Sequence, residues 1–343
     1  ARLARSLSAG LDGARVAAAG FGWWQTSGGA ADAAAAVERI ATASPVLAAD
    51  LRARVASGRV FSWFLYPNAC AGYLILGLPF AAIACVRARV AGRTREAWGF
   101  GAVAVVLALA LASTGSIGAA LALIAAASLV AGRRVREGNA RALLAVLAAA
   151  ALLVLVFAAR PRAAAPAGAL AKAAHWRAAL TAPRPLRAWI VGSGPGAYGG
   201  AVGAEMAPGL RARHAHDWPV ETFVELGVPG AFALAGLLLV LALRGWNGGA
   251  RDPRGDLGDA LLVAWLAGLL HALVDLDYVL PPLFFPWWCL AGLMARRGSE
   301  TGTRPARRFS PWALADGIPT SVPLAGALLP LSWLTGVAAA GAG

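Results

Sequence analysis

The chain has 343 residues, of which 59% are hydrophobic and only 14% charged, whereas about a quarter are charged in an ordinary soluble domain. Apolar runs long enough to cross a bilayer recur along it, which predicts a polytopic membrane protein. By itself, a formal net charge of +14 would suggest nucleic acid as a partner. The arginines, however, lie in short runs between apolar segments, the pattern of cytoplasmic loops, so we expect a membrane and no nucleic acid.

The three cysteines lie within apolar stretches, at Cys70, Cys85 and Cys289, without the spacing of a metal motif or a disulfide framework. We interpret them as small packing residues. The chain begins at Ala1, and its first sixty or so residues contain no signal peptide or clear span. That beginning is typical of a fragment that has lost earlier helices.

Taken in chain order, the first segment is mixed and includes an alanine-rich, partly amphipathic stretch with helical periodicity. Apolar spans are then predicted at 69–86, 97–112, 116–131 and 142–159, the second and third joined by a tight "STGS" turn. A long polar segment follows. Further spans are predicted near 224–243, 258–276, 283–295 and 321–340.

Placing all four arginine-rich loops in the cytoplasm gives one consistent topology. The predicted fold is an all-α polytopic transmembrane bundle with a long periplasmic loop. Its segments are a partly helical periplasmic N-terminal part (1–68), transmembrane helices (69–159), a periplasmic catalytic loop (160–220) and transmembrane helices (221–343). Every histidine then lies at or near the outer face.

Two features of the outer loop are candidates for binding. In "AKAAHWRAAL", a helix would place Lys172, His175 and Trp176 on one face. In "VGSGPGAYGG", the amides of glycines such as Gly194 and Gly196 can converge on an anion. Alone, such a run is weak evidence, and a plain flexible turn is the better explanation of the glycines.

The segment "RHAHDWPVETFVELG" concentrates titratable side chains where a span begins. Asp217 is a plausible N-cap and Pro219 suits a first helical turn. Glu221 and Glu225 would then share a helix face, and "GVPG" should kink that helix. The segment fits either solvated caps at a headgroup boundary or a functional site, and charged groups beside a membrane favour function. A metal site on His214 and His216 has only a weak signature.

His271 and Asp275 stand four residues apart in the outer half of a predicted span, with Asp277 in the following turn. They suit either a buried proton-relay pair or an interfacial anchor.

The order of these motifs resembles the O-antigen ligase and O-antigen polymerase family of bacterial membrane glycosyltransferases. The most specific likeness is "VGSGPGAY" followed by "HAHDWPVETFVELGVPG". "RVFSWFLYPNACAGYLILGLPF" upstream and "HALVDLDYVLPPLFFPWWCLAGL" downstream also match family segments, so the resemblance covers roughly residues 59–297.

The resemblance implies transfer of a glycan from undecaprenyl pyrophosphate to a sugar hydroxyl of a lipid-linked or saccharide acceptor. The site would lie on the periplasmic face of the inner membrane and use no metal or other cofactor. His216, or His214 beside it, would act as the general base, and we add Glu225 as a catalytic candidate. The donor would be held by basic side chains, glycine amides and an aromatic ring. These substrate-binding candidates are Lys172, Arg177, Arg211, Arg213, Gly194, Gly196 and Trp176.

The sequence departs from the family pattern at three positions. Asp217 stands where asparagine is usual, Ile117 where a basic residue is usual, and Lys172 where arginine is usual. Two alternatives to an active transferase therefore remain. One is a proton-coupled or anion transporter, and the other is an inactive relative within a polysaccharide assembly complex.

Overall fold

The computed structural model describes residues 2–26, 29, 31–32, 34–35, 38, 52–53, 55–64, 66–136, 166–203, 213–250 and 256–299. Within these ranges all of the regular secondary structure is helical, which confirms the predicted all-α class. The helices are α1 (Arg2–Thr26), α2 (Pro67–Val90), α3 (Thr94–Thr114), α4 (Ile117–Arg136), α5 (Pro166–Thr181), α6 (Leu186–Val191), α7 (Tyr198–Val202), α8 (Trp218–Ala250), α9 (Asp256–Ala272) and α10 (Pro281–Ser299). Short 3-10 turns occur at Ser62–Phe64 and Asp277–Val279.

The connections between the first long helices are short and depend on glycine. Gly92, with φ of 71°, follows α2, and Gly115, with φ of 65°, ends α3. Both lie in the left-handed region that glycine adopts without a steric penalty. The predicted "STGS" turn between the second and third spans is therefore confirmed at Gly115.

Four of the described helices are long and apolar enough to cross a membrane: Pro67–Val90, Thr94–Thr114, Ile117–Val135 and Trp218–Asn247. They correspond to the predicted spans 69–86, 97–112, 116–131 and 224–243. Two shorter apolar helices, Leu257–Ala272 and Pro281–Ala295, correspond to 258–276 and 283–295. The predicted spans at 142–159 and 321–340 lie outside the described residues, as does most of the stretch 27–58.

Helix α8 has the surface that most strongly indicates a membrane environment. Only 11% of its most apolar window is buried within the protein. Its outward side chains include Phe232, which is 73% exposed, and Leu239, at 59%. A bare aliphatic surface of this length is unfavourable in water and is the normal surface of a helix in lipid.

Helix α8 is kinked at Gly227, whose φ and ψ of 67° and −163° are not helical. Pro229 follows within the same helix and cannot donate a backbone hydrogen bond. The kink predicted from "GVPG" is confirmed. It separates a short polar N-terminal piece, which carries Glu221 and Glu225, from the long apolar piece.

The chain divides into two compact units, residues 1–116 with 295–343 and residues 117–294. In the first, α1 packs on α2 and α3. Arg15 is buried there, its Nε 3.2 Å from the carbonyl oxygen of Tyr73 and its guanidinium over the Tyr73 ring. In the second, α9 packs on α4 and α8, while α6 packs on the first piece of α8. The candidate site lies in this second unit.

Candidate active site

The loop that carries the two histidines is held at Ala215, between them. The indole Nε1 of Trp176 donates to the Ala215 carbonyl at 3.2 Å, and the Ala215 amide donates to the Glu221 carboxylate at 2.7 Å. Ala215 itself is fully buried. Because both of its backbone groups are bonded to side chains of flanking helices, the loop has a defined geometry.

Glu221 is the central acceptor of this loop. It is buried and accepts three hydrogen bonds, from the Ala215 amide, from His214 Nδ1 at 2.8 Å and from the Tyr278 hydroxyl at 2.7 Å. Burial raises the pKa of Tyr278, and the adjacent Glu221 charge adds to the shift. The Tyr278 hydroxyl therefore remains a neutral donor, and His214 is committed to holding the loop.

His216 has a strained backbone. Its φ of 54° makes it one of two described non-glycine residues with positive φ, a conformation that costs a bulky L-residue on the order of 1–3 kcal/mol. Its ring stacks on that of His175, with centroids 5.7 Å apart. Its Nδ1 lies 3.9 Å from a carboxylate oxygen of Asp275, within ion-pair range but beyond a direct hydrogen bond.

Asp275 joins this histidine to a lysine. The Lys172 ammonium lies 2.7 Å from the second carboxylate oxygen of Asp275 and also donates to the carbonyl of Val274. The side chain of Asp275 is 2% exposed, whereas those of Lys172 and His216 are 22% and 26% exposed. We call Lys172, His175, His216 and Asp275 the histidine cluster. In this cluster the carboxylate is buried, whereas the side chains of His216 and Lys172 are partly exposed.

The predicted single face of α5 is confirmed by three contacts. Lys172 contacts Asp275, His175 stacks on His216, and Trp176 binds Ala215. Tyr198 also binds α5, because its buried hydroxyl donates to the His175 carbonyl at 3.0 Å. Burial raises the pKa of Tyr198, so this hydroxyl stays protonated and continues to donate.

A second imidazole–carboxylate pair lies beside the cluster. His271 is fully buried and its Nδ1 is 2.6 Å from the carboxylate of Asp277, not that of Asp275. The interpretation of His271 and Asp275 as partners is therefore wrong. Burial raises the pKa of Asp277, with a further contribution from Asp275 and opposition from His271. Gly118 of α4 packs against this imidazole, a Cβ there lying 3.7 Å from its Cδ2.

The glycine-rich run forms a turn that packs closely against the backbone of α8 at Glu225. Gly192 has φ of 84°, and a Cβ on it would collide with the Glu225 carbonyl oxygen. The Gly194 amide donates to that same carbonyl at 2.9 Å, so it is already used within the protein. Gly196, with φ of 75°, faces open space. Of the two predicted glycine amides, that of Gly194 is bonded within the protein, whereas Gly196 is an exposed residue.

Glu225 fixes the start of α7, because its carboxylate accepts the Tyr198 amide at 3.2 Å. Asp217 caps α8, as predicted, with its Oδ1 2.8 Å from the Val220 amide. Burial raises the pKa of Asp217, although the bond from Val220 opposes the shift. Both carboxylates thus shape the ends of helices next to the histidine loop.

The other predicted cations that the structure describes make none of these contacts. Arg177 and Arg213 are exposed, and Arg211 lies outside the described residues. Ile117, which stands where the resemblance leads one to expect a basic residue, is 56% exposed. Arg184 was not foreseen as a candidate; it stacks on Trp189 at 4.1 Å and donates to the Ala179 carbonyl at 2.7 Å. Among the described cations of this loop, Lys172 is the one that belongs to the histidine cluster.

The sequence analysis did not include Glu221 or Asp275 among the site residues, and it did not single out Tyr278. A weak signal existed for Glu221, because a carboxylate in the first turn of a helix can reach back to the preceding loop. Asp275 was noticed for its place in a predicted span, but no signal pointed to its partner Lys172, which is 103 residues away.

Within the ranges the structure describes, no group of three or more His, Cys, Asp or Glu side chains is arranged to hold a metal ion. Comparison of the chain with family models, with curated proteins and with solved structures finds no match.

Proposed function

We propose that the protein is a metal-independent membrane glycosyltransferase of the O-antigen ligase or polymerase type. It would transfer a glycan from undecaprenyl pyrophosphate to a sugar hydroxyl of a lipid-linked or saccharide acceptor. The proposed location is the periplasmic face of a bacterial inner membrane. The observation that carries the proposal is His216, held in a strained conformation with Nδ1 facing a buried carboxylate.

In the proposed reaction His216 is the general base. Asp275 beside Nδ1 favours the tautomer with a proton on that nitrogen, which leaves the lone pair of Nε2 for the acceptor hydroxyl. The acceptor oxygen bonds to the anomeric carbon of the donor, and the bond from that carbon to the phosphate oxygen breaks. The acceptor proton goes to Nε2, and undecaprenyl pyrophosphate leaves as the anion.

Lys172 is the proposed contact of the pyrophosphate. An ammonium has three donors, and two of them are used by Asp275 and the Val274 carbonyl. The third is available to a phosphate oxygen, since the side chain is partly exposed. Arg177, Arg213 and the Gly196 amide are exposed positions from which further contacts to the donor can be made. Trp218 and Tyr278, stacked with rings 6.0 Å apart, offer aromatic faces suited to a sugar ring.

The test is transfer by the full chain in liposomes that contain the lipid-linked glycan and an acceptor. His216→Ala should lower kcat by about 100-fold or more, the usual contribution of a general base. His214→Ala is the matched control and should cost less, because His214 binds Glu221 and not the proposed reactants. Transfer at the wild-type rate by His216→Ala, with its folding intact, would remove the assignment. Full activity is expected in the presence of a chelator.

Lys172→Met tests the donor contact separately. We expect donor affinity to weaken by about 1.5–3 kcal/mol, the scale of a hydrogen bond to a charged group, while acceptor KM changes little. Arg244→Met is the control, because this exposed arginine near the C-terminal end of α8 is not among the proposed donor contacts. A protein that binds the donor but never transfers it would instead be the inactive relative.

Proton-coupled transport is a second candidate, favoured by the buried pair of His271 and Asp277. A pH-sensitive dye inside the same liposomes separates the two functions. Proton uptake that depends on His271 and not on His216 would support the transporter.

A further inference from the structure

The first unit has a lateral groove between α2 and α3, next to the turn that joins them. Its volume is about 580 Å³, within the usual range for a small-molecule site. The groove is lined by Cys85, Arg89, Trp98, Gly101, Ala102 and Val105, among others. It contains none of the residues of the proposed transferase site.

One end of the groove is strongly basic. Arg87, Arg89, Arg93 and Arg95 lie within nine residues at the turn, and Glu96 is the one carboxylate beside them. Glu96 pairs with Arg93 at 2.6 Å. Among the described residues the other three arginines have no acidic partner. The groove therefore opens beside an uncompensated positive patch.

Along α3 the groove changes from basic to amphipathic to apolar. Arg95 lies at the turn, Trp98 is 74% exposed one helical turn further, and Val105, 58% exposed, lies two turns beyond Trp98. Trp98 and Val105 are about 10 Å apart along the axis, at a rise of about 1.5 Å per residue. Tryptophan beside arginine at the end of an apolar helix is typical of the headgroup level of a bilayer.

Small residues make room in the apolar part. A Cβ added at Gly101 would lie 3.4 Å from the Cys85 sulfur, so a larger side chain there would occupy the groove. Ala102 is exposed and adds little bulk. These small residues therefore keep the groove open next to the basic turn.

We propose that this groove binds one anionic phospholipid, with its phosphate at Arg89 and neighbouring arginines and an acyl chain against Cys85, Gly101 and Ala102. The order of charge, indole and aliphatic surface along α3 matches the order of headgroup, interface and chain in such a lipid. Each arginine near an anionic headgroup adds about fivefold to its affinity. The proposal is independent of the transferase assignment.

Protection of Cys85 from maleimide tests the proposal in the full chain. Cys289→Ser removes the exposed thiol, and Cys70 is fully buried, so labelling then reports Cys85. In neutral detergent, added phosphatidylglycerol should slow the labelling several-fold. Phosphatidylcholine and glycerol phosphate should not, because the first lacks the net charge and the second lacks the chains. Equal protection by both lipids, or protection by neither, overturns the proposal.

Native mass spectrometry of retained phosphatidylglycerol provides the second readout. Arg89→Gln should weaken retention about fivefold, and Gly101→Leu should abolish it by filling the groove. Arg244→Gln changes another exposed arginine, in α8, and should have no effect. If Arg244→Gln and Arg89→Gln weaken retention equally, the lipid is held by diffuse surface charge and the groove is not a specific site.

Discussion

Two groups of charged side chains in the second unit differ in construction. The first, which we call the arginine clamp, consists of Arg133, Arg134, Asp259 and Trp246. The two guanidiniums bind the two oxygens of Asp259, and Arg133 also donates to the Trp246 carbonyl at 2.6 Å. All four residues belong to regular helices, α4, α8 and α9. The clamp ties those helices together.

The histidine cluster instead combines a loop, a turn and one helix. His216 has a left-handed backbone, and Asp275 follows the end of α9. Guanidiniums stay charged at any physiological pH, whereas an imidazole can gain and lose a proton there. Fixed charges in regular helices indicate a structural pair. A titratable, partly exposed histidine with a strained backbone is instead what the proposed chemistry requires.

The largest expected effect comes from breaking the clamp. Asp259→Ala leaves the Arg133 guanidinium buried without its carboxylate, since that side chain is 6% exposed. Breaking a buried ion pair from one side costs about 3–5 kcal/mol. The loss should appear as a lower unfolding midpoint in detergent, while the proposed transfer activity per folded molecule is unchanged.

Glu96→Ala is the matched control for that prediction. It breaks the Arg93–Glu96 pair, whose side chains are 47% and 50% exposed, and exposed pairs contribute about 0–1 kcal/mol. Equal losses from Asp259→Ala and Glu96→Ala would contradict the description of the clamp as a buried structural pair.

A smaller effect tests the strain at His216. Glycine adopts positive φ freely, so His216→Gly should be more stable than His216→Ala by about 1 kcal/mol. The same two substitutions at His175, inside α5, should differ by about the same amount with the opposite sign, because glycine is unfavourable within a helix. Thermal unfolding of the four variants gives both differences. If His216→Ala is more stable than His216→Gly, as is expected for the two variants at His175, the backbone at His216 is unstrained.

Features that depend on neighbouring residues were predictable from the sequence. The apolar spans, the Asp217 cap, the kink at Gly227 and the shared face of Lys172, His175 and Trp176 all follow from local periodicity or backbone preference. The glycine-rich run is a mixed case. The turn was foreseeable, but the use of the Gly194 amide by the Glu225 carbonyl depends on how α8 packs.

Pairings between distant segments could not be predicted. Spacing of four residues suggested that His271 faces Asp275, but this holds only if the helix continues. Helix α9 ends at Ala272. In the turn that follows, the Asp275 carboxylate binds Lys172, and the Asp277 carboxylate binds His271. Glu221 rather than Glu225 binds the histidine loop, because it lies in the first turn of α8 and is the nearer of the two.

The smallest expected effect concerns Asp217, the cap of α8. Asp217→Asn keeps an oxygen for the Val220 amide, whereas Asp217→Ala loses the cap and should cost about 1 kcal/mol. The comparison of wild type with Asp217→Asn therefore isolates the charge of the carboxylate from its capping bond.

The charge makes the stability of wild type depend on pH. Burial raises the pKa of Asp217 in the folded protein, so between the ordinary aspartate pKa and this raised value the folded state binds more protons than the unfolded state. Stability therefore decreases as pH rises through that window. The amide of Asp217→Asn does not ionise, so wild type should lose stability relative to this variant as pH rises from below about 4. Unfolding midpoints of both proteins across that range give the difference. A difference that grows in favour of wild type would mean that the helix N-terminus stabilises the carboxylate more than burial destabilises it.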